Sequence, residues 1–407
     1  MIKLFVLGLR GASIGARFLL SFLFVKYISL EFQGEYSLLL TSITVLMLVT
    51  GFDFYVFSNR FMIKNREQTG YALTNQFFFH LITYTALFIL FIVLTLIGIT
   101  NEFLTITILF LLIFEHLGME FFRVFVAIEK VLIANVILFV RTGTWPLLLI
   151  YQLIYTTKEI TLTTIITYWM TASIISVVLC IPFIYNEIRG TKFYIDKKWI
   201  KRGTKVAALF FIATFSQKII EFSDRYIIDS FLGAKSLGIY SFYFQLANVV
   251  NVTIFTVLIS FMYPKIIYFI DKKRKKEAIV EVKKLKKYII VLISLYAMLL
   301  SIILPYILDF VGKPELYDFQ IVFYIFLTGN LFFNLSFASH YALLAIEKDK
   351  ELMKISIGLA VFSLVANLIG VAYFGIIGAV IVFAISSLLL YIIKYRTENQ
   401  FFKNYDW

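Results

Sequence analysis

The sequence predicts an all-α integral membrane protein with twelve transmembrane helices. Of its 407 residues, 61% are hydrophobic and only 15% are charged, whereas soluble domains contain about 25% charged residues. A transmembrane helix needs about 20 predominantly apolar residues, and the chain has room for twelve. Apolar and polar residues do not alternate as they do in barrel strands that face lipid, so we interpret the apolar segments as helices. They lie at about 4–26, 36–58, 76–98, 103–126, 131–154, 162–185, 204–230, 238–264, 288–308, 319–346, 353–374 and 376–394.

The distribution of lysine and arginine predicts the orientation of these spans. With the N-terminus in the cytoplasm, 28 of the 38 basic residues fall in cytoplasmic segments and four in external ones. Cytoplasmic loops of membrane proteins carry an excess of Lys and Arg, so we expect both termini in the cytoplasm. The net charge of +13 is mostly this topology signal. We therefore interpret the run Lys272–Lys276 as a cytoplasmic loop beside anionic headgroups, with no nucleic acid as a partner.

An internal repeat predicts two six-helix lobes. Gly34-Glu35-Tyr36-Ser37 opens span two, and Gly238-Ile239-Tyr240-Ser241 opens span eight, 204 residues later. Both follow a span that runs from inside to outside, which indicates a parallel repeat with a pseudo-two-fold axis along the membrane normal. Transporters of this kind bind substrate between the halves, near the midplane. We predict an N-lobe at 1–186, a basic cytoplasmic linker at 187–203 and a C-lobe at 204–407 with a basic cytoplasmic loop at 265–287.

The sequence lacks the common motifs of nucleotide and metal chemistry. It contains no G-x-x-x-x-G-K-[ST] phosphate loop and no H-E-x-x-H motif. The longest predicted external loop, Asp309–Asp318, is too short to hold the active site of a membrane polymerase. We therefore expect no enzymatic activity, no cofactor and no metal.

Charged residues within the spans are the candidates for function, because they are costly in lipid and face the bundle interior or a wet cavity. Arg10 and Arg17 share one face of span one, and span seven carries a charged stripe. The predicted substrate-binding set is Arg10, Arg17, Arg123, Arg141, Lys218 and Arg225. A second set is predicted to serve ion coupling or pairing, and it comprises Asp53, Glu115, His116, Glu120, Glu221, Asp224 and His340.

Two interpretations of the acidic residues stay open at this point. Glu120–Arg123, Glu221–Arg225 and Arg225–Asp229 have the spacing of pairs that neutralise each other within one helix, in which case no ligand contacts them. Alternatively, these residues line a polar cavity. The two histidines of the second set are candidates for proton coupling or for hydrogen bonds between helices.

Three arginines stand apart from these pairs. Arg10, Arg17 and Arg141 have no acid within four residues on their own helices. Glu115 or Asp53 is a candidate partner from another helix. We nevertheless predict that the three arginines face an anionic ligand.

Two stretches of the chain carry short motifs of a known family. The first is Gly51-Phe52-Asp53-Phe54-Tyr55, followed by Ser58-Asn59-Arg60. The second is Asp224-Arg225-Tyr226-Ile227-Ile228, followed by Leu237-Gly238-Ile239-Tyr240-Ser241. They resemble the G-[FL]-D-x-Y stretch and the D-R-x-x-[IL] and L-G-x-Y-S pattern of bacterial polysaccharide flippases of the Wzx type, within the multidrug/oligosaccharidyl-lipid/polysaccharide (MOP) exporter superfamily. Length, twelve spans and two halves extend the resemblance to the whole chain, although the two extra helices of lipid II flippases are lacking.

The resemblance implies a flippase of the inner (cytoplasmic) membrane. Members of the family move an undecaprenyl-diphosphate-linked oligosaccharide repeat unit from the inner to the outer leaflet for surface polysaccharides such as the O antigen of lipopolysaccharide. The predicted substrate-binding set would then form a cationic cavity that opens alternately to the two sides, with membrane lipids around the lipid-linked substrate. Coupling to protons or sodium, and association with polymerase machinery, stay open.

Two rival functions are retained. The first is an ion-coupled multidrug or small-solute antiporter of the same fold, which the excess of arginine over acid in the first half disfavours for cationic drugs. The second is a membrane-embedded polymerase or ligase, which the short external loops disfavour.

Overall fold

The computed structural model describes residues 2–98 and 102–404, and all regular structure within them is helical. A short 3₁₀ turn at Arg66–Gln68 and a π-helix at Ile254–Ile259 interrupt the α-helices. The α-helices are α1 Ile2–Tyr27, α2 Leu30–Gly51, α3 Phe54–Lys64, α4 Thr69–Leu96, α5 Glu102–Ala127, α6 Val131–Thr142, α7 Thr144–Tyr155, α8 Leu162–Ile188, α9 Lys197–Thr253, α10 Ser260–Asp271, α11 Lys275–Val311, α12 Pro314–Tyr317, α13 Gln320–Ala345 and α14 Asp349–Asn404.

The predicted twelve spans are confirmed within the described residues. Two of the helices contain two spans each, because α9 turns at Gly233 (φ 79°, ψ 170°) and α14 turns at Gly375 (φ 61°, ψ −141°). Glycine tolerates these dihedrals because it has no Cβ. Helices α6 and α7 together form one span, and α1, α2, α4, α5, α8, α11 and α13 form one each. The chain is therefore an all-helical, multi-pass membrane protein.

Span two ends earlier than the sequence predicts. The sequence predicts a single helix at 36–58, whereas the structure breaks between α2 and α3 at Phe52 and Asp53, which both have φ of 50°. This left-handed conformation is incompatible with a continuous right-handed helix. Aromatic stacking holds the break in place, since the rings of Phe52 and Phe211 lie 4.5 Å apart between centroids.

The connections are shorter than the sequence predicts. The predicted basic loop at 265–287 is helical except for a turn between α10 and α11, in which Lys273 has φ of 56°. Helix α9 begins at Lys197, inside the predicted linker at 187–203. Asp196 caps this helix, because its Oδ1 accepts hydrogen bonds of 2.9 Å from the backbone N–H groups of Lys198 and Trp199.

The helices form two compact units. Unit 1 contains the residues up to Leu23 together with Leu39–Phe211, and unit 2 contains Phe24–Leu38 together with the chain from Ile212 onward. Buried aromatic side chains are prominent in the core of unit 1, and aliphatic side chains from α10, α11 and α13 fill a core of unit 2. The lobe boundaries inferred from the repeat remain predictions.

A reciprocal contact within unit 2 joins the two tetrapeptides of the repeat. A Cβ on Gly34 would lie 2.0 Å from the carbonyl oxygen of Ala234, and a Cβ on Gly238 would lie 1.8 Å from that of Leu30. Only glycine permits such an approach of two backbones. Each glycine thus contacts the residue four positions before the other glycine.

The serines that end the tetrapeptides complete this contact. Ser241 Oγ donates a 2.8 Å hydrogen bond to Ser37 Oγ, its equivalent 204 residues earlier, and both side chains are buried. The repeat found in the sequence is therefore a local two-fold symmetric contact in the structure.

Candidate functional site

Two arginines of α1 bind α6 with the same spacing. Arg10 Nε donates to Asn135 Oδ1 over 2.6 Å, and Arg17 Nε donates to the backbone carbonyl oxygen of Thr142 over 3.1 Å. Each donor precedes its acceptor by 125 residues, so seven residues separate the two arginines and also the two acceptors. Both arginines are half-buried. Because both acceptors are neutral, neither bond cancels the charge of a guanidinium.

A proline creates the acceptor for Arg17. In a continuous helix the carbonyl of Thr142 would accept the N–H of residue 146, but Pro146 has no N–H. Helix α6 ends at Thr142 and α7 begins at Thr144. The predicted span at 131–154 is therefore broken, and the break leaves a backbone oxygen for the guanidinium.

Among the described residues, no hydrogen bond or ion pair engages the two terminal amino groups of Arg17. Its Cζ lies 5.7 Å from the ring centroid of Trp145, which is fully buried. Gly143 lets α1 approach closely, since a Cβ there would lie 2.9 Å from Ser13 Oγ. The bond to Thr142 uses Nε alone. The two terminal groups are those with which arginine holds a phosphate or carboxylate bidentately.

Arg141 is buried and paired, which differs from the prediction that it faces an anionic ligand. Its side chain is 1% exposed, and its Nη1 lies 2.5 Å from Glu115 Oε1. The second carboxylate oxygen of Glu115 accepts a 2.7 Å hydrogen bond from Ser173. Gly118 provides the space, because a Cβ there would lie 2.7 Å from Arg141 Cδ. Glu115 is thus the cross-helix partner that the sequence left open, and we infer a structural role for this pair.

A buried polar cluster surrounds Glu120 of α5. The pair expected from the i,i+3 spacing is present, since Arg123 Nη1 lies 2.5 Å from Glu120 Oε1. Gln76 of α4 donates to Oε2 over 2.5 Å. The Nε2 atoms of His80 and His116 lie 3.5 and 3.6 Å from the two carboxylate oxygens. We name these five residues the Glu120 cluster.

The Glu120 cluster has the donor set of a proton or metal site. One nitrogen from each histidine and one carboxylate oxygen all lie within 4.8 Å of one another. The hydroxyl of Tyr84 hydrogen-bonds to His116 Nδ1 at 2.7 Å, which directs Nε2 toward Glu120. Arg123 occupies the same carboxylate, and its charge would repel a divalent cation. The arrangement therefore suits a proton better than a metal.

The G-F-D-F-Y stretch borders this cluster. A Cβ on Gly51 would lie 2.7 Å from His116 Nε2, so only glycine fits there. Asp53 is buried and is the N-cap residue of α3. The ring centroid of Tyr55 lies 3.7 Å from Arg123 Cζ. The side chain of Arg123 is 27% exposed, so this residue connects the buried cluster to the protein surface.

The charged stripe of α9, in unit 2, pairs differently from the prediction. Lys218 Nζ lies 2.6 Å from Glu221 Oε2, so this carboxylate does not pair with Arg225. The guanidinium of Arg225 instead lies 3.7 Å from Asp224 Oδ1 and donates to the backbone carbonyl of Glu221 over 2.7 Å. The predicted Arg225–Asp229 pair is not among the ion pairs of the described residues.

Aromatic packing explains this choice of partners. The Cζ of Arg225 lies 4.8 Å from the ring centroid of Phe222 and 4.2 Å from that of Phe244, and the side chain is 4% exposed. The hydroxyl of Tyr240 donates to Asp224. The D-R and L-G-x-Y-S stretches therefore meet as one buried unit, and Lys218 is the half-buried cation of this stripe, paired with Glu221.

His340 and a set of asparagines lie on or beside α13. His340 Nδ1 is buried and makes no hydrogen bond to a described residue, and its ring stands on edge to Tyr341 with centroids 5.5 Å apart. Asn251 donates to Asn330 over 3.1 Å, and Asn334 donates to Asn251 over 2.6 Å. These amides lie beside the π-helix. Because they are neutral, the search for charged residues within the spans did not find them.

Comparisons at the level of sequence give no relative. No family model matches the chain, and no curated protein matches it.

Comparison with solved structures identifies the fold. The lipid II flippase MurJ in an inward closed conformation has a TM-score of 0.73 at 14% identity over 97% of this chain and 87% of that chain. An inward-facing multidrug resistance MATE family transporter of the MOP superfamily has a TM-score of 0.71 at 12% identity over 95% and 94% of the two chains. The Vibrio cholerae MATE transporter VcmN in the bent form has a TM-score of 0.61 at 13% identity over 98% and 96%.

These likenesses define the class of the protein. It is a multi-pass membrane protein with the helical fold of MATE transporters and of MurJ. The three structures are similar to this chain over nearly its whole length.

Proposed function

We propose that the protein is a flippase that moves an undecaprenyl-diphosphate-linked oligosaccharide repeat unit from the inner to the outer leaflet. It works by alternating access, supplies surface polysaccharide assembly, and resides in the cytoplasmic membrane with both termini inside. A fold similar to that of a lipid flippase and an excess of cationic side chains over acids on α1 support this proposal.

The observation that carries the proposal is the arrangement around Arg17. A guanidinium deep in a membrane span is costly unless something anionic or wet faces it. Its bond to Thr142 positions the side chain through Nε, and no ion pair within the described part of the chain neutralises its charge. A diphosphate crossing the membrane is an anion that two such terminal amino groups can hold.

We narrow the proposed substrate-binding set by the burial of its members. Arg10, Arg17, Arg123 and Lys218 are half-buried, whereas Arg141 and Arg225 are buried in aromatic or acidic surroundings. Arg10 and Arg17 lie about 10 Å apart along α1, at roughly 1.5 Å per residue. We therefore propose that these two arginines bind the diphosphate in succession and that Arg141 and Arg225 hold the helices.

The Glu120 cluster is the proposed site of proton coupling. Ionised Glu120 holds Arg123 at 2.5 Å. A proton delivered through His80 or His116 would neutralise the carboxylate and release Arg123 toward an anionic substrate. Proton entry and substrate binding would then be linked through one guanidinium.

Substitutions of Arg17 test the proposed function. We expect Arg17→Ala to abolish surface polysaccharide in a flippase-null strain while the protein still inserts, because removing a charge does not impair insertion. Arg17→Lys should retain part of the activity, since the charge stays and the planar fork is lost. Arg189→Ala, at an exposed arginine between α8 and α9, is the control. Full export by Arg17→Ala at matched membrane levels would refute the role of Arg17.

A separate variant tests the coupling. Glu120→Gln mimics the protonated carboxylate, so export should become insensitive to a protonophore. Glu187→Gln, which changes an acid paired with Lys130 at the end of α8, is the control. Undiminished protonophore sensitivity in Glu120→Gln would exclude this cluster as the coupling site. Resistance to cationic drugs without polysaccharide export would favour the multidrug antiporter.

A further inference from the structure

A groove in unit 2 combines lysines at one end with apolar side chains at the other. It lies between the first five turns of α11 and the last turns of α14 and has a volume of about 510 Å³. Along α11 the lining lysines Lys275, Lys283 and Lys287 precede the apolar pair Ile290 and Val291, which forms the apolar end of the groove. Lys403 of α14 also lines it, as do the apolar side chains of Ile279 and Phe402. None of these residues belongs to the transport site proposed above.

The order of these residues follows the axis of α11. The groove-lining positions recur every three or four residues, which places them on one face of the helix. Lys283 and Ile290 are seven residues apart, about 10 Å at roughly 1.5 Å per residue. This distance separates the phosphate of a phospholipid from the upper part of its acyl chains. Tyr391 and Tyr395 of α14 line the same groove, as aromatic residues do at membrane interfaces.

Within the described residues, acidic side chains neutralise only part of the positive charge of the groove. Glu398 is the acid in its lining, and Lys286 already neutralises it, with Nζ and Oε2 2.6 Å apart and both side chains largely buried. Lys283, Lys287 and Lys403 are exposed, and none of the ion pairs among the described residues includes them. The groove therefore presents these three exposed cations, with Lys275 also in its lining, beside a wall in which Lys286 pairs with Glu398.

We propose that this groove binds an anionic phospholipid, with the phosphate between the three lysines and the acyl chains along Ile290 and Val291. The lysines match a phosphodiester, which is a single negative charge that needs no bidentate fork. The apolar end distinguishes a lipid from a soluble anion, which would gain nothing from it. The lysines at the start of α11 are also among the basic residues that predict the cytoplasmic side of the membrane, where anionic headgroups attract Lys and Arg.

Native mass spectrometry of the full-length protein in detergent tests this site, with dioleoyl phosphatidylglycerol as the probe. The variant Lys283→Gln/Lys287→Gln/Lys403→Gln should bind the lipid more weakly by roughly 100-fold, at about fivefold per lysine near a headgroup. These side chains are exposed, so the variant should fold.

A matched triple variant separates a built groove from general attraction. Lys272→Gln/Lys273→Gln/Lys350→Gln removes the same charge from exposed positions outside the groove and should leave binding nearly unchanged. An equal loss in both triple variants would overturn the proposal. Displacement of the lipid by inorganic phosphate, or equal binding of dioleoyl phosphatidylcholine, would also overturn it. Ile290→Asn should weaken lipid binding, and unchanged binding would contradict the placement of the acyl chains.

Discussion

Replacing Glu115 with alanine should destabilise the protein strongly, because it leaves the charge of Arg141 buried without its partner. The two side chains are 4% and 1% exposed, so solvent screens the pair very little. Removing one partner of a buried ion pair typically costs about 3–5 kcal/mol. For a unit of about 200 residues this corresponds to a fall of roughly 6–20 °C in melting temperature, at about 2–4 °C per kcal/mol.

The assay is thermal unfolding of the full-length protein in one detergent. After heating, size-exclusion chromatography measures the fraction that remains folded. The double variant Glu115→Leu/Arg141→Met removes both charges and keeps apolar volume, so it should recover most of the lost stability. The double-mutant cycle then gives the coupling between the two residues.

The reasoning fails if Glu115→Ala melts at the same temperature as the wild type. That result would mean that water or another anion reaches Arg141, and it would return Arg141 to the residues that face a ligand. A double variant no more stable than Glu115→Ala would also contradict the reasoning. It would mean that other groups besides Glu115 and Arg141 depend on this ion pair for their stability.

Three more outcomes are expected. Gly238→Ala should lower the amount of protein in the membrane because its Cβ would overlap a backbone carbonyl. Gly358→Ala is the control, since a Cβ there meets no atom within 4 Å. Equal membrane levels of the two variants would contradict the close contact at Gly238. The N–H of Trp199 and a tyrosine hydroxyl hold the pKa of Asp196 below its usual value. The stabilising effect of the ionised carboxylate is therefore present at neutral pH and is lost as the pH falls below about 4. In Asp196→Asn, the fall of the melting temperature at acidic pH should be smaller than in the wild type. A reporter fused after Lys158 should be external, and a cytoplasmic signal would refute the predicted orientation.

Features set by local sequence were predictable. Twelve apolar segments follow from composition and length, and the Glu120–Arg123 pair follows from the spacing on one helix face. The tetrapeptides 204 residues apart predicted a repeat, and the structure brings Ser37 and Ser241 together in a symmetric contact.

Features set by contacts between helices were not predictable. Nothing in the spacing of Glu115 and Arg141 indicates that their side chains meet, because they lie on different helices. On α9, the i,i+4 rule predicted the wrong partner for Arg225, since two phenylalanine rings fix its guanidinium. His80 also required the fold, because it approaches Glu120 from α4.

The anchor of Arg17 has an evolutionary consequence. Its acceptor is a backbone oxygen, and every amino acid at position 142 supplies the same atom. Drift at that position therefore cannot remove the anchor, whereas replacing Pro146 would restore an N–H that competes for the oxygen. Substitution at position 146, and not at position 142, is therefore the change that alters how this guanidinium is held.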